Sequence, residues 1–297
     1  MTECPAAADA PVAEAPEAPR RPALSPSRAA DFKQCPLLYR FRAIDRLPEV
    51  PGRAQVRGTL VHAVLERLYD LPAAERQPQA ARALVVSEWA RLQHEAPELV
   101  EALFAGPDDP ELAEWLGSAG PLLDTYFQLE DPSRLEPAAR ELLVETELPS
   151  GLLLRGYVDR LDVAATGQVR IIDYKTGAAP RPVAEARALF QMKFYALVLL
   201  HLRGAVPAQL QLLYLTDGES LTYEPDEAQL LRFARTLEAI WAAILVAAED
   251  GDFRPNPGRF CEWCSHKPLC PAWDGVPPAY PGWPGAPAEE TPADRAG

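Results

Sequence analysis

Two short segments constrain this chain more than anything else in it. Gly156-Tyr157-Val158-Asp159-Arg160-Leu161-Asp162 and Ile171-Ile172-Asp173-Tyr174-Lys175-Thr176-Gly177 read as neighbouring strands joined by the turn Ala164-Ala165-Thr166-Gly167. The first strand carries Asp159 and the second ends in Asp173-x-Lys175. Side chains alternate along a strand, so Lys175 projects from the same face as Asp173. Two carboxylates meeting on adjacent strands can hold a hard divalent cation such as Mg²⁺. Such a cation polarises a phosphate and acidifies water, and an ammonium beside it orients that water or offsets developing charge. Phosphodiester hydrolysis needs those parts. The competing reading is an ordinary hairpin with an exposed Asp–Lys ion pair.

The surroundings weigh on that choice. Downstream, Gln191-Met192-Lys193-Phe194-Tyr195 opens an apolar helical pattern from Leu189 to Leu202, and Gln191 and Tyr195 share one of its faces. Upstream, Gly58-Thr59-Leu60-Val61-His62 lies in a second helical pattern, Val56 to Tyr69. Taken singly, His62 reads as a half-buried histidine and Gln191 as a surface amide. Taken in order, Gly-x-x-x-His, Gly-x-x-Asp-Arg-x-Asp, Asp-x-Lys and Gln-x-x-x-Tyr resemble the RecB-type nucleases of the PD-(D/E)XK superfamily. That group includes the AddB nuclease domain and the CRISPR adaptation nuclease. The resemblance covers roughly residues 24 to 271. It implies that His62, Asp159 and Asp173 bind Mg²⁺ or Mn²⁺, that Lys175 is the catalytic lysine, and that Gln191 and Tyr195 support the site and touch nucleic acid. Asp173 stands where many members of the superfamily have Glu, which keeps the carboxylate.

Five cysteines give a separate signal: Cys4, Cys35, Cys261, Cys264 and Cys270. The last three form Cys-x2-Cys-x5-Cys in a Pro-rich stretch, a spacing that suits a soft metal or a cluster. A closed four-thiolate site needs one more ligand, and Cys35 in Gln34-Cys35-Pro36 can supply it from the other end of the chain. RecB-like nucleases with an iron–sulfur cluster show this one-plus-three arrangement, so the resemblance implies a [4Fe–4S] cluster on Cys35, Cys261, Cys264 and Cys270. Zinc is the main alternative, and a set of reduced buried thiols is the bland one. Disulfides fit poorly, because no secretory signal is read and pairing leaves an odd thiol. Such a cluster would be a structural clasp closing a loop of most of the chain, whose entropic cost grows only logarithmically with length.

Composition bounds the rest. The chain of 297 residues is long enough for one sizeable core. No long uninterrupted apolar run predicts a membrane span, and no signal peptide is read, so a cytoplasmic protein is expected. Residues 1–23 and 272–297, rich in Pro and Ala, read as disordered tails. Between them, 24–271 reads as a nuclease domain, with a helical insertion at about 71–138 and an iron–sulfur segment at about 253–271. The net charge of −14 argues against nucleic acid as a partner. Its distribution softens that: residues 20–70 hold ten basic against five acidic residues and 170–204 six against two, while 71–147 hold five against sixteen. A basic groove on an acidic body is compatible with DNA. All four lysines, Lys33, Lys175, Lys193 and Lys267, stand in or beside the motifs.

The expected fold is α/β: a restriction-endonuclease-like mixed sheet flanked by helices. Ser25 caps a first helix running towards Gln34. Helices are predicted at Val56–Tyr69, Pro78–His94, Glu111–Leu129, Leu189–Leu202 and Asp226–Ala248. Strands are predicted at Arg140–Leu148, Leu152–Val163, Val169–Tyr174, Gln209–Leu215 and Leu221–Glu224. Glu145 on the first strand is a candidate for assisting a second metal ion, with a surface carboxylate as its plainer reading. Together these observations predict a metal-dependent nuclease, and the resemblance implies that it acts on DNA, as an exonuclease on single strands or ends, in repair or recombination. The alternatives are a non-catalytic DNA-binding or scaffold subunit of a repair complex and a redox-sensing iron–sulfur protein. No Gly-x-x-x-x-Gly-Lys-Ser/Thr motif occurs, so any helicase motor would belong to a partner.

Overall fold

A computed structural model describes residues 21–106, 108–180 and 185–284. Of the tails expected at 1–23 and 272–297, residues 1–20, with Cys4, and 285–297 fall outside the described residues. Ser25 does cap α1 (Pro26–Gln34): its Oγ accepts from the Arg28 N–H at 3.2 Å, and Pro26 occupies the first turn, where no donor is needed. α2 (Pro36–Tyr39) and a wide π turn (Arg40–Ile44) follow. α3 (Arg53–Leu68), α4 (Pro78–Glu95), α5 (Pro97–Leu103), α6 (Pro110–Gly117) and α7 (Ala119–Leu129) build a helical layer before the first strand. The run predicted as one helix from Glu111 to Leu129 is two. Pro121 has no N–H for the Gly117 carbonyl, so the helix breaks at Ser118 and restarts.

The sheet holds β1 (Ala139–Glu147), β2 (Leu153–Val163), β3 (Val169–Lys175), β4 (Gln209–Tyr214) and β5 (Glu219–Tyr223), side by side in chain order. Neighbours are antiparallel except β3 and β4, which are parallel. A parallel pair needs a long crossover, and α8 (Glu185–Arg203) provides it. α9 (Glu227–Asp250) then starts on an Asp226 cap and ends at Gly251, whose φ of +67° is the left-handed conformation that closes a helix.

Both faces of the sheet are covered. On one side Leu161, Ile171 and Leu212 pack with α1, α8 and α9; on the other, Ile172, Tyr174 and Leu213 pack with α3, α4 and α7. A strand buried on both faces reads as a continuous apolar run, as Ile171-Ile172 and Leu212-Leu213 do.

The alternation slips at one place. Val158 and Leu161 face the same core although three residues apart, and so do Ala139 and Leu142 on the neighbouring strand. At that point the β1–β2 ladder lacks the rung between Glu141 and Asp159, and Glu141 has a φ of +43°. The β2–β3 ladder ends one residue away, at Arg160–Ile172. Asp159 therefore stays within β2 but has no ladder partner on either side.

The start of the described chain is tied to β2: the Leu24 N–H donates to Leu153 O, and the Arg155 N–H donates to Leu24 O. The end of the described chain is tied as well, and here composition misled. Residues 272–284, expected within a disordered tail, pack on the body. Tyr280 meets Phe253 and the Arg40 guanidinium, and Trp283 meets Trp241. Two aromatic residues outweigh the surrounding Pro and Gly. No helix among the described residues is long and apolar enough to cross a membrane.

Candidate active site

Glu141, Asp159 and Asp173 stand in one row across β1, β2 and β3, where the ladders break. Asp159 Oδ2 accepts from the Tyr174 N–H at 2.8 Å, a side chain taking the place of a missing ladder bond. α3 lies over this row and delivers His62. Its Nε2 is 3.0 Å from Tyr174 O, a carbonyl that can only accept, so Nε2 carries the proton. Burial pushes the imidazole pKa down, which favours the neutral ring. Nδ1 therefore presents a lone pair, 3.4 Å from Asp159 Oδ2 and 3.9 Å from Glu141 Oε1.

Three electron-rich atoms facing one another repel unless a cation lies between them. The His62, Glu141 and Asp159 ligand atoms all lie within 4.8 Å of one another. Burial first, then Asp173, pushes the Asp159 carboxyl well above the usual range. Glu141 is pushed up to about 6 by burial, Glu66 and Asp173. A histidine that gives its second nitrogen's proton to a backbone carbonyl is the usual support for a metal-binding imidazole. An oxygen-rich set with one imidazole suits a hard divalent cation such as Mg²⁺ or Mn²⁺. The residues fit that ion.

Beside the triad, Asp173 is buried and engaged by its neighbours. Its Oδ1 accepts from Gln191 Nε2 at 2.8 Å, and its Oδ2 lies 2.5 Å from Lys175 Nζ. Lys175 Nζ donates to Gln191 Oε1 at 2.8 Å, and Gln191 Nε2 also reaches Tyr195 OH at 3.1 Å. Lysine only donates, so the Gln191 oxygen must face it and the amide nitrogen must face Asp173. The amide thus holds both members of the Asp-x-Lys pair, while Tyr195 steadies the amide from one helical turn on.

The motif glycines have steric reasons. A Cβ on Gly58 would sit 3.0 Å from Thr176 Oγ1, and one on Gly156 would sit 2.7 Å from Tyr195 Cε1. Gly58 lets α3 approach the end of β3, and Gly156 leaves room for the tyrosine ring.

His62, Asp159, Asp173, Lys175, Gln191 and Tyr195 thus come together. Glu145 does not join them: it pairs with Arg155, directly across the β1–β2 ladder. The β1 carboxylate in the site is Glu141, which the sequence reading missed. Its one signal is positional, since it falls opposite Asp159 once the hairpin register is known.

The cysteines gather elsewhere. Cys35, Cys261, Cys264 and Cys270 line one cavity of about 590 Å³, with Lys33 and Phe190 at its wall. The backbone N–H groups of Asn256 and Gly258 donate to Cys35 Sγ and Cys261 Sγ at 3.4 and 3.3 Å. Burial and the neighbouring Cys35 and Cys261 push the Cys264 thiol up. The other lysines each stand over an aromatic ring: Lys33 over Phe190, Lys193 over Tyr223 and Lys267 over Trp273.

Comparison with known proteins places this geometry in a family. The chain is similar to the Gene 69 protein of Mycobacterium phage D29, 24% identical over 288 residues that span 85% of this chain and 97% of that protein. Among solved structures, that of SSO0001 covers 62% of this chain and 80% of its own, at 20% identity and a TM-score of 0.33. Residues 23–271 match the family described as the PD-(D/E)XK nuclease superfamily. Strand-borne Asp-x-Lys, a half-buried His–Glu–Asp group beside it and a match over residues 23–271 agree: this chain belongs to the PD-(D/E)XK nuclease superfamily.

Proposed function

We propose that this chain is a Mg²⁺- or Mn²⁺-dependent deoxyribonuclease of the RecB-like branch. It acts as an exonuclease on single strands or DNA ends, in repair or recombination. The observation that carries the metal-dependent reading is the His62 Nδ1 lone pair aimed at two carboxylates, next to an Asp-x-Lys pair. His62, Glu141 and Asp159 would hold the cation; Asp173, which the resemblance implies as a ligand, stands next to them with its two oxygens engaged by Gln191 and Lys175. The cation supplies Lewis acidity towards a phosphate oxygen and towards water.

The protein's own groups do the remainder. Lys175 Nζ, fixed by Asp173 and Gln191, orients the attacking water and offsets negative charge developing on the phosphate. Water adds to phosphorus, the ester P–O bond breaks, and the leaving oxygen takes up a proton. Glu141, with a side chain about a third exposed, is the open side of the site and the natural approach for a phosphate.

A [4Fe–4S] cluster on Cys35, Cys261, Cys264 and Cys270 is part of the same proposal, and 24–271 is its nuclease domain. Backbone N–H groups already point at two of the sulfurs, which supports a bound metal or cluster on this set, and zinc is the alternative. The preference for single strands or ends, and for repair, rests on the resemblance to RecB-type nucleases. Digestion of end-labelled, end-blocked and circular DNA with added Mg²⁺ or Mn²⁺ tests the proposal. Cleavage that requires a free end supports it. Binding without cleavage under any divalent ion refutes it in favour of a scaffold subunit.

A further inference from the structure

Behind the carboxylate row lies a second polar cluster that the hydrolytic chemistry does not use. Arg160 directly follows Asp159 and is fully buried. Its Nη1 and Nη2 donate to the two oxygens of Glu130 at 2.8 and 2.9 Å. Its Nε and Nη2 reach Asp162 at 3.1 and 3.2 Å. Three phenols crowd Nη1: Tyr174 OH at 2.9 Å, Tyr69 OH at 3.0 Å and Tyr126 OH at 3.3 Å. Tyr69 and Tyr126 are bonded to one another at 2.5 Å. Arg170 completes the set through Asp162 and Glu130, so two cations face two carboxylates.

A buried ionic cluster of this kind is a poor source of stability, because desolvation offsets the Coulomb gain. It is a good way to fix geometry, because each member accepts few arrangements. What it fixes is visible in Tyr174, the residue between Asp173 and Lys175. The Tyr174 phenol is held by Arg160. Its N–H donates to Asp159 Oδ2, and its carbonyl accepts from His62 Nε2. Two of the three candidate ligand side chains therefore hang on one peptide segment whose side chain is pinned from behind. The pins come from the helical layer: Tyr69 follows α3, Tyr126 lies on α7 and Glu130 caps the end of α7.

We propose that Arg160 is a positioning residue for the metal site. Through Tyr174 it sets the placing of His62 against Asp159, and through Glu130, Tyr69 and Tyr126 it makes the helical layer part of the site's scaffold. The proposal rests on the reading of His62, Glu141 and Asp159 as a divalent-cation site.

Replacement of Arg160 itself risks the fold, so the test uses Tyr174→Phe and Glu130→Gln. The first removes one hydroxyl and keeps the ring. The second weakens Arg160's carboxylate partner without touching the ligand set. Mn²⁺ binding is measured by calorimetry on the full chain without nucleic acid, together with the melting temperature and the Mn²⁺ dependence of cleavage. Both variants are expected to bind Mn²⁺ about tenfold more weakly, the usual loss when the support of a ligand is removed. The half-saturating Mn²⁺ for cleavage should rise by the same factor. Unchanged Mn²⁺ affinity in both variants, whatever their melting temperatures, overturns the positioning role and leaves a structural one. Failure of the wild-type chain to bind Mn²⁺ is a different result, which overturns the metal site and this proposal with it.

Discussion

Glu141→Gln should make the metal-free protein more stable at neutral pH, and the metal-loaded protein less so. The substitution keeps the shape of the side chain and removes its charge. In the metal-free state that charge faces Asp173 and Glu66 in a partly buried place, and the carboxyl is pushed from 4.5 up to about 6. A raised carboxyl pKa means that folding favours the protonated form. Its contribution is fully present below the unfolded value and is lost as pH rises through about 6. At about 1.4 kcal/mol per pKa unit the penalty at pH 7.5 is about 2 kcal/mol, and solvent screening at a side chain a third exposed reduces it to about 1 kcal/mol. In a domain of this size that corresponds to roughly 2–4 °C. With chelator present, Glu141→Gln should therefore melt higher than wild type at pH 7.5 and level with it near pH 4.5. Saturating Mn²⁺ should reverse the order at pH 7.5, because wild type gains RT ln(1 + [L]/Kd), about 2.7 kcal/mol at a hundredfold excess over Kd. Thermal unfolding at the two pH values, with and without Mn²⁺, reads all of this. A variant less stable than wild type in chelator at pH 7.5, or stabilised equally by Mn²⁺, would refute the placing of Glu141 in a cation site.

Two further predictions concern the packing around Gly156 and the four cysteines. Gly156→Ala forces the buried Tyr195 ring from its place and should cost about 1–3 kcal/mol, as overpacking does. Combined with Tyr195→Ala it should cost almost nothing more, which a double-mutant cycle measures. Protein purified without oxygen should be brown, with about four irons per chain. Cys35→Ala should lose that iron as fully as Cys264→Ala does; colourless, fully active protein with stoichiometric zinc would show that the metal is misassigned.

The parts of this molecule that were legible in the sequence are those written in local pattern. Alternation and apolar runs gave the five strands to within two residues at either end. Ser25 marked a helix start because a short oxygen-bearing side chain can take up an otherwise unpaired N–H; Asp226, read as the first residue of its helix, turned out to be its cap. The Asp-x-Lys pair and its amide were legible because one motif follows another along the chain. Glu141 was not, because its role depends on which residue of β1 stands opposite Asp159 and on a rung that fails to form. Glu145 looks the same in sequence and pairs with Arg155 across the ladder. Arg160 was visible as a letter in a motif, but its partners Tyr69, Tyr126 and Glu130 come from a region whose folding onto β2 no local pattern encodes. The break at Ser118 was legible, since Pro121 cannot continue a helix, yet apolar periodicity on either side masked it.

The most direct measurement is metal-dependent cleavage of labelled DNA by purified Lys175→Ala, compared with wild type at matched Mn²⁺ and with circular dichroism as the check on folding. Lys175 Nζ is held by Asp173 and Gln191, and the proposed mechanism gives its charge the task of meeting the phosphate. Loss of that charge should lower the rate by about 10²–10³-fold or more, the usual effect of removing one group that stabilises developing charge. Mn²⁺ binding should survive, because the proposed ligands are untouched. Cleavage at the wild-type rate by folded Lys175→Ala would contradict the assignment of this site as the nuclease centre.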